Sequence, residues 1–106
     1  MKFLSRQEEI LLLAILKLKE TAYGVTIREL VSESTQKYWS IGAIYDILDR
    51  LERKGLVKPI IGEPTAERGG KSKRYYAVTK EGHRALEEVR TLQNEMWSGI
   101  PKTATD

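Results

Sequence analysis

The sequence predicts a mainly α-helical fold with one small β-hairpin, the α+β class. Apolar residues recur at helical spacing in four segments of the 106-residue chain. Residues that cap or end helices flank these segments. Between the third and fourth segments the pattern changes to two short β-branched runs around a polar, glycine-containing stretch, which is typical of a hairpin.

The first helix is predicted over Arg6–Lys19. Ser5 and Glu8 have the spacing of a capping box, in which each side chain satisfies a free backbone N–H of the other residue. The apolar run Ile10–Leu16 extends around more than one face of this helix. A helix that is apolar on most sides is buried on most sides. In so small a protein we expect a second subunit to cover part of it.

Two further helices follow a break in the pattern at residues 21–24. The second is predicted over Val25–Ser34 and the third over Ile41–Lys54, where apolar residues recur three and four positions apart. Ser40 is a favourable N-cap for the third helix, and Gly55 stands where a helix commonly ends on a glycine.

The hairpin strands are predicted at Leu56–Ile61 and Arg74–Val78. Of the adjacent tyrosines Tyr75 and Tyr76, one should pack inward and the other lie near the surface. Thr79 then caps a fourth helix that ends near residue 97. The sequence shows no internal repeat and no second domain.

The charge distribution favours a nucleic-acid surface. The chain has 18 Lys and Arg against 15 Asp and Glu, a formal net charge of +3. Up to Lys80 there are 15 basic and 10 acidic residues (+5), and from Glu81 onward 3 and 5 (−2). A basic body with an acidic end is compatible with a nucleic-acid partner and a separate interaction element.

Several classes of protein and site are set aside by composition. There is no cysteine, so thiolate metal sites and thiol nucleophiles are excluded. No apolar run approaches the roughly 18–20 residues that span a bilayer, and no signal-peptide cleavage site follows the longest one. The lone His83 is expected at the surface, and no nucleophile, base and orienting group can be assembled. We expect a soluble cytoplasmic protein that is not an enzyme and uses no metal or cofactor.

The order of the elements is that of a winged helix-turn-helix with an added C-terminal helix. In such modules the second and third helices cross, the third enters the DNA major groove, and the hairpin lies beside it. Gly42 and Ala43 would let the third helix approach base edges. Tyr45 has two interpretations, a DNA contact or a half-buried core tyrosine. Asp46 either accepts from a cytosine amino group or pairs with Arg50 four residues later, which is the simpler hypothesis.

Cations near the hairpin loop would neutralise phosphates. The predicted DNA-binding residues are Tyr23, Lys37, Ser40, Gly42, Ala43, Tyr45, Asp46, Arg50, Arg68, Lys71, Lys73 and Arg74.

Three groups of residues carry a family resemblance. They are Tyr23-Gly24 with Ile27 and Leu30, then Gly42-Ala-Ile-Tyr45 with Leu48, Arg50-Leu51-Glu52 and Gly55-Leu56-Val57, and finally Gly69-Gly70 with Arg74-Tyr75-Tyr76 and Thr79-Lys-Glu-Gly82. Together they resemble the PadR family of bacterial winged-helix transcriptional regulators. The resemblance implies a homodimer that binds a partly two-fold operator and usually represses transcription. Ala43 departs from the Thr or Ser often found there, so a hydroxyl contact is missing.

The fourth helix carries an apolar stripe that should pair with the first or fourth helix of a second chain. The predicted dimer-interface residues are Leu11, Leu12, Ile15, Leu86, Val89, Leu92, Met96 and Trp97. A two-fold dimer would present its third helices to major grooves about 34 Å apart. The predicted organisation is a DNA-binding domain over residues 1–80, a dimerisation helix over 81–98 and a frayed tail over 99–106.

Trp97 has two interpretations. It either anchors the interface or helix end, or it stacks on a small aromatic effector, as tryptophans do in some PadR relatives. The main hypothesis for the chain is a sequence-specific DNA-binding transcriptional regulator that represses as a homodimer at a pseudo-palindromic operator. The alternative is a winged helix that contacts only proteins, in which case its cations would not matter for binding anything anionic.

Overall fold

The computed structural model describes residues 3–61 and 73–102. Within these residues the elements follow the predicted order, and each predicted boundary is met to within one residue. They are α1 (Arg6–Leu18), α2 (Gly24–Thr35), α3 (Ile41–Arg53), β1 (Val57–Ile61), β2 (Arg74–Val78) and α4 (Lys80–Trp97), with a 3₁₀ turn at Lys19–Thr21. The α+β class with a winged arrangement of helices and hairpin is confirmed.

Side-chain caps set the helix starts. In the capping box of α1, the backbone N–H of Glu8 donates to Ser5 Oγ at 3.1 Å, and the N–H of Ser5 donates to Glu8 Oε1 at 2.8 Å. The hydroxyls of Ser40 and Thr79 cap α3 and α4, each accepting from the backbone N–H three residues later at 3.1 Å. These bonds satisfy N–H groups that the first turn of a helix leaves without a partner.

A glycine ends α3 as predicted. Gly55 has a φ of +75°, a conformation that glycine adopts without the steric cost of a Cβ atom. Its N–H donates to the carbonyl oxygen of Glu52, and the N–H of Leu56 donates to that of Leu51, both at 2.9 Å. This is the Schellman pattern, which turns the chain sharply from α3 into β1.

The hydrophobic core lies among the first three helices and the hairpin, and it covers α1 more fully than predicted. The largest fully buried apolar side chains are Leu11, Leu12, Ile15, Ile27, Val31, Ile44, Leu48 and Leu51. The first three are only 0–2% exposed in a single chain. Their assignment to a dimer interface is therefore wrong, because their own core leaves them no surface for a partner.

Trp39 lies between the end of α2 and the start of α3. Its side chain is buried, and its Nε1 donates to Thr35 Oγ1 at 2.9 Å. Thr35 is the last residue of α2, and its hydroxyl donates in turn to the carbonyl oxygen of Val31 at 2.8 Å. The indole thus fills the corner between the two helices and satisfies its polar N–H there.

The two strands form a hairpin, the wing, that is fastened to the segment preceding α2. β1 and β2 pair antiparallel in register. On the other edge of β2, the N–H of Tyr76 donates to the carbonyl oxygen of Ala22 at 2.9 Å, and Tyr23 forms a bridge with Tyr75. The wing therefore occupies a fixed position beside the helices.

The first turn of α4 is bound to the turn that follows α3. The N–H of Thr79 donates to the carbonyl oxygen of Leu56 at 3.0 Å, and its hydroxyl donates to that of Gly55 at 2.7 Å. A Cβ atom on Gly82 would overlap the Leu56 carbonyl oxygen and the Val78 side chain. Only glycine allows this close approach.

The apolar stripe of α4 is covered along half of its length. Leu86 and Val89, which were predicted to lie in a dimer interface, are only 9% and 8% exposed because their own chain already covers them. Leu92, Met96 and Trp97 are 39%, 68% and 63% exposed. The uncovered apolar surface is thus confined to the second half of the helix.

Candidate nucleic-acid interface

The outward face of α3 is open and contains small residues. Ser40, Gly42 and Asp46 are exposed, and Ala43 and Arg50 are partly exposed. Among the described residues, nothing lies within 4 Å of the position that a Cβ atom of Gly42 would take. The backbone at the start of α3 is therefore accessible to a closely approaching partner.

The predicted ion pair between Asp46 and Arg50 does not form. Their charged groups are not within 4.0 Å of each other, although both side chains reach the surface of α3. An exposed pair spaced i,i+4 on a helix stabilises it by only a few tenths of a kcal/mol. Solvation of both groups competes easily with so small a gain.

Tyr45 is partly packed against the protein and partly exposed. Its phenol packs against Gly24, where an added Cβ atom would overlap the ring, yet 38% of the residue is exposed. The glycine at the start of α2 thus makes room for a side chain from α3. This contact fixes the crossing of the two helices and leaves part of the tyrosine at the surface.

An aromatic and cationic cluster joins the wing to the start of α2. The rings of Tyr23 and Tyr75 meet edge to face, with centroids 5.5 Å apart and an interplanar angle of 70°. Lys73 Nζ lies 4.2 Å from the centroid of the Tyr23 ring, a cation–π geometry. Tyr76 is buried and Tyr75 is partly exposed, which confirms the predicted alternation. Sequence reasoning missed the contact between Tyr23 and Tyr75, since it joins residues distant in the chain.

Arg74 lies at the surface, with its side chain 45% exposed, and is bonded to neighbouring side chains of the protein. Its Nη2 donates to both carboxylate oxygens of Glu52, at 3.0 and 3.3 Å, and its Nε donates to Tyr76 Oη at 3.1 Å. The bond to Glu52 raises the pKa of Arg74, and burial raises the pKa of Tyr76. This geometry joins α3 to β2 and favours a structural role over the predicted DNA contact.

The other predicted phosphate contacts divide into two groups. Lys37 is exposed between α2 and α3, and Lys73 is partly exposed at the start of β2. Lys73 forms no ion pair with any residue that the structure describes. Arg68 and Lys71 lie outside the described residues.

An ion pair between a buried glutamate and a partly exposed lysine, at the other end of α3, was not predicted. Glu8 Oε2 lies 2.6 Å from Lys54 Nζ, and the Glu8 side chain is 2% exposed. Burial opposes ionisation of this carboxyl, but the hydrogen bonds from Lys54 and from the backbone of Ser5 outweigh it and lower the pKa of Glu8. The pair ties the start of α1 to the end of α3.

Several cavities open on the surface of the described part of the chain, and three of them have mainly apolar linings. One of about 430 Å³ lies between the end of α1 and the wing, and one of about 310 Å³ lies between α1 and α2. The third, of about 470 Å³, runs along α4 between Phe3 and Leu92, with three glutamates at its rim. Trp97 lines none of these three.

The described residues show no metal centre and no membrane span. No group of three or more His, Cys, Asp or Glu side chains among them converges as metal ligands, and His83 is exposed. No helix in the same part of the chain is long and apolar enough to cross a bilayer.

Comparison with known proteins points to one family. The model of the transcriptional regulator PadR-like family matches residues 12–88. A PadR family transcription regulator from Clostridium difficile R20291 is 28% identical, with a TM-score of 0.64 over 88% of this chain and 92% of that chain. A PadR family regulator from Eggerthella lenta DSM 2243 is 25% identical, with a TM-score of 0.67 over 90% and 80%.

RosR from H. salinarum shares the fold, with 23% identity and a TM-score of 0.68 over 92% of this chain and 81% of that chain. No curated protein sequence matches the chain.

Proposed function

The chain belongs to the PadR-like family of transcriptional regulators, and we propose from this that it binds DNA in a sequence-specific manner, with α3 in the major groove. The observation that carries the proposal is the placement of α3. Its apolar side chains are buried in the core, its opposite face is open, and the wing is fixed beside it. Regulators of this family are not enzymes.

The proposed DNA surface separates reading residues from positioning residues. Gly42 and Ala43 allow α3 to lie close to base edges. The exposed Tyr45 and the partly exposed Arg50 are placed to reach those edges. Phosphate contacts come from the surrounding cations and hydroxyls, which orient the protein without reading sequence. The described residues in this second class are Lys37, Ser40 and Lys73.

We infer a homodimer that forms through the second half of α4. Leu92, Met96 and Trp97 expose apolar surface there, and burial of such surface is favourable by about 25 cal/mol per Å². The groove between α1 and α2, lined by Ile10 and Leu13 among others, is an apolar surface of matching character. A two-fold dimer would place its α3 helices about 34 Å apart, which suits a pseudo-palindromic operator.

We also propose that the protein represses transcription and that a small aromatic effector releases it from DNA. A dimer seated on two major grooves would occlude a promoter, so we infer a repressor that acts in the cytoplasm. Trp97 is exposed at the end of α4, and at the proposed interface it would offer a stacking surface to a small aromatic effector.

The deciding experiment is selection of bound duplexes from a random pool, followed by titration of the selected duplex at several salt concentrations. DNA binding predicts that log K falls linearly with log salt, by about 0.9 for each neutralised phosphate. It also predicts a selected sequence with two half-sites one helical turn apart. If the protein binds no duplex at low salt, or if its affinity does not depend on salt, the result would instead favour a module that contacts only proteins.

A further inference from the structure

Arg74 is the side chain that joins the wing to the last turn of α3. We propose that it is a positioning residue, which holds the wing at a fixed angle to the reading helix, and that it does not bind phosphate. This inference rests on the proposed function, because its consequence concerns how DNA is read. It changes the role that the sequence suggested for this cation.

The contacts of Arg74 hold its guanidinium against the protein. Nη2 donates to both carboxylate oxygens of Glu52, and Nε donates to the hydroxyl of Tyr76. Arg74 and Tyr76 are two residues apart in β2, so their side chains lie on the same face of the strand. Because Tyr76 is buried, its hydroxyl is a fixed anchor for the Arg74 side chain.

The charge of Arg74 is already compensated. The single nitrogen Nη2 approaches both carboxylate oxygens of Glu52, at 3.0 and 3.3 Å, and a charge-assisted hydrogen bond of this kind is stronger than one between neutral groups. DNA phosphates are attracted only weakly to a cation whose charge is already balanced by a neighbouring carboxylate. Lys73, one residue earlier, forms no such pair with the described residues, so it is the better source of attraction for phosphate.

The pair spans the two parts of the proposed DNA surface. Glu52 lies in α3, which would read base edges, and Arg74 begins β2 of the wing, which would contact the adjacent backbone. Phosphate contacts set the register in which bases are read. A wing held at a wrong angle would therefore weaken binding to the correct sequence more than binding to any other sequence.

The test compares Arg74→Gln and Glu52→Gln with Lys73→Gln, which removes a neighbouring positive charge. Each variant is titrated against the selected duplex and a scrambled duplex at several salt concentrations. For Arg74→Gln and Glu52→Gln we expect about a two- to five-fold loss on the selected duplex, little loss on the scrambled one and an unchanged salt slope. For Lys73→Gln we expect equal losses on both duplexes and a slope reduced by about 0.9.

Exchanging the two charges separates the roles further. The double variant Glu52→Arg with Arg74→Glu retains the pair, so a positioning role predicts tighter selected-duplex binding than in either charge-reversed single variant. A phosphate ligand predicts the opposite, since a glutamate at position 74 would repel DNA whatever its neighbour. A lower salt slope and equal losses on both duplexes in Arg74→Gln would overturn the proposal.

A measurement without DNA distinguishes failure of this proposal from failure of the proposed function. The Tyr76 N–H, bonded to the Ala22 carbonyl oxygen, reports the attachment of the wing. Its hydrogen exchange should accelerate in Arg74→Gln and Glu52→Gln but not in Lys37→Gln, which changes an exposed lysine between α2 and α3. Unchanged exchange in the first two variants would overturn the positioning role even if the protein binds DNA. If the wild-type protein binds no duplex, the proposed function fails, and the exchange rates still decide whether Arg74 holds the wing.

Discussion

The carboxylate of Glu8 and the ammonium group of Lys54 lie 2.6 Å apart and connect the first turn of α1 to the residue that follows α3. The environments of the two groups differ, because the Glu8 side chain is 2% exposed while that of Lys54 is 44% exposed. The two ends of this pair therefore respond differently to mutation.

We predict that Lys54→Met destabilises the protein more than Glu8→Gln does. Without Lys54 a buried charge keeps only its bonds to Ser5, at a cost of about 2–3 kcal/mol. In Glu8→Gln the capping box is retained and Lys54 turns toward water, at a cost of about 1 kcal/mol. Urea unfolding measures both, with Arg6→Gln as a control that removes an exposed arginine from its pair with Glu9. Equal losses for the first two variants would contradict the asymmetry.

The same pair makes stability depend on pH on the acid side. The pKa of Glu8 is lowered in the fold from its ordinary value of 4.5, so the unfolded chain takes up a proton first as the pH falls. The contribution of Glu8 is present above the unfolded pKa and is lost as the pH falls through the folded pKa. Free energies of unfolding at neutral pH and below about pH 4.5 should show a smaller decline in Glu8→Gln than in wild type. Identical declines would show that other carboxyls account for the loss.

The uncovered end of α4 gives a prediction about assembly. Met96→Glu should separate the proposed dimer into folded monomers, because Met96 is 68% exposed in the single chain and contributes little to its core. Sedimentation at micromolar concentration measures the mass, and circular dichroism should show retained helix. Asn94→Glu is the control, since it adds the same charge at a polar, exposed position of the same helix. A wild-type protein that sediments as a folded monomer would refute the interface.

Two glycines should respond to alanine in opposite directions. Gly82→Ala places a methyl group against the carbonyl oxygen of Leu56, which cannot move freely, so we expect a loss of about 1–3 kcal/mol. Gly42→Ala meets nothing within 4 Å among the described residues, so helix propensity should raise stability by about 0.5–1 kcal/mol. Thermal unfolding measures both changes. If Gly42→Ala also weakens DNA binding while it stabilises the fold, the start of α3 lies at the DNA surface.

The helix and strand boundaries could be predicted because their determinants are local. Ser5, Ser40 and Thr79 cap helices within three residues of themselves, and Gly55 ends α3 through its own backbone conformation. The placement of α1 could not be predicted in the same way. Periodicity shows that a helix must be covered on most sides, but it does not show whether its own domain or a second chain provides the cover.

The ion pairs were also difficult to predict from local sequence patterns. The helical spacing of Asp46 and Arg50 suggested a pair that does not form. Two other ion pairs join different elements of the fold. Arg74 and Glu52 are 22 residues apart in the sequence, and Lys54 and Glu8 are 46 residues apart. Only the packed fold brings these groups together, so no local pattern reveals them.

The hydrogen bonds of Thr79 fix the position of α4 relative to the wing. β2 ends at Val78, α4 begins at Lys80, and the single residue between them is held by both its amide and its hydroxyl. The helix is therefore rigidly attached to the rest of the protein and does not rotate independently of the wing. In a two-fold dimer, the angle at which the two α4 helices cross would therefore set the distance between the two α3 helices.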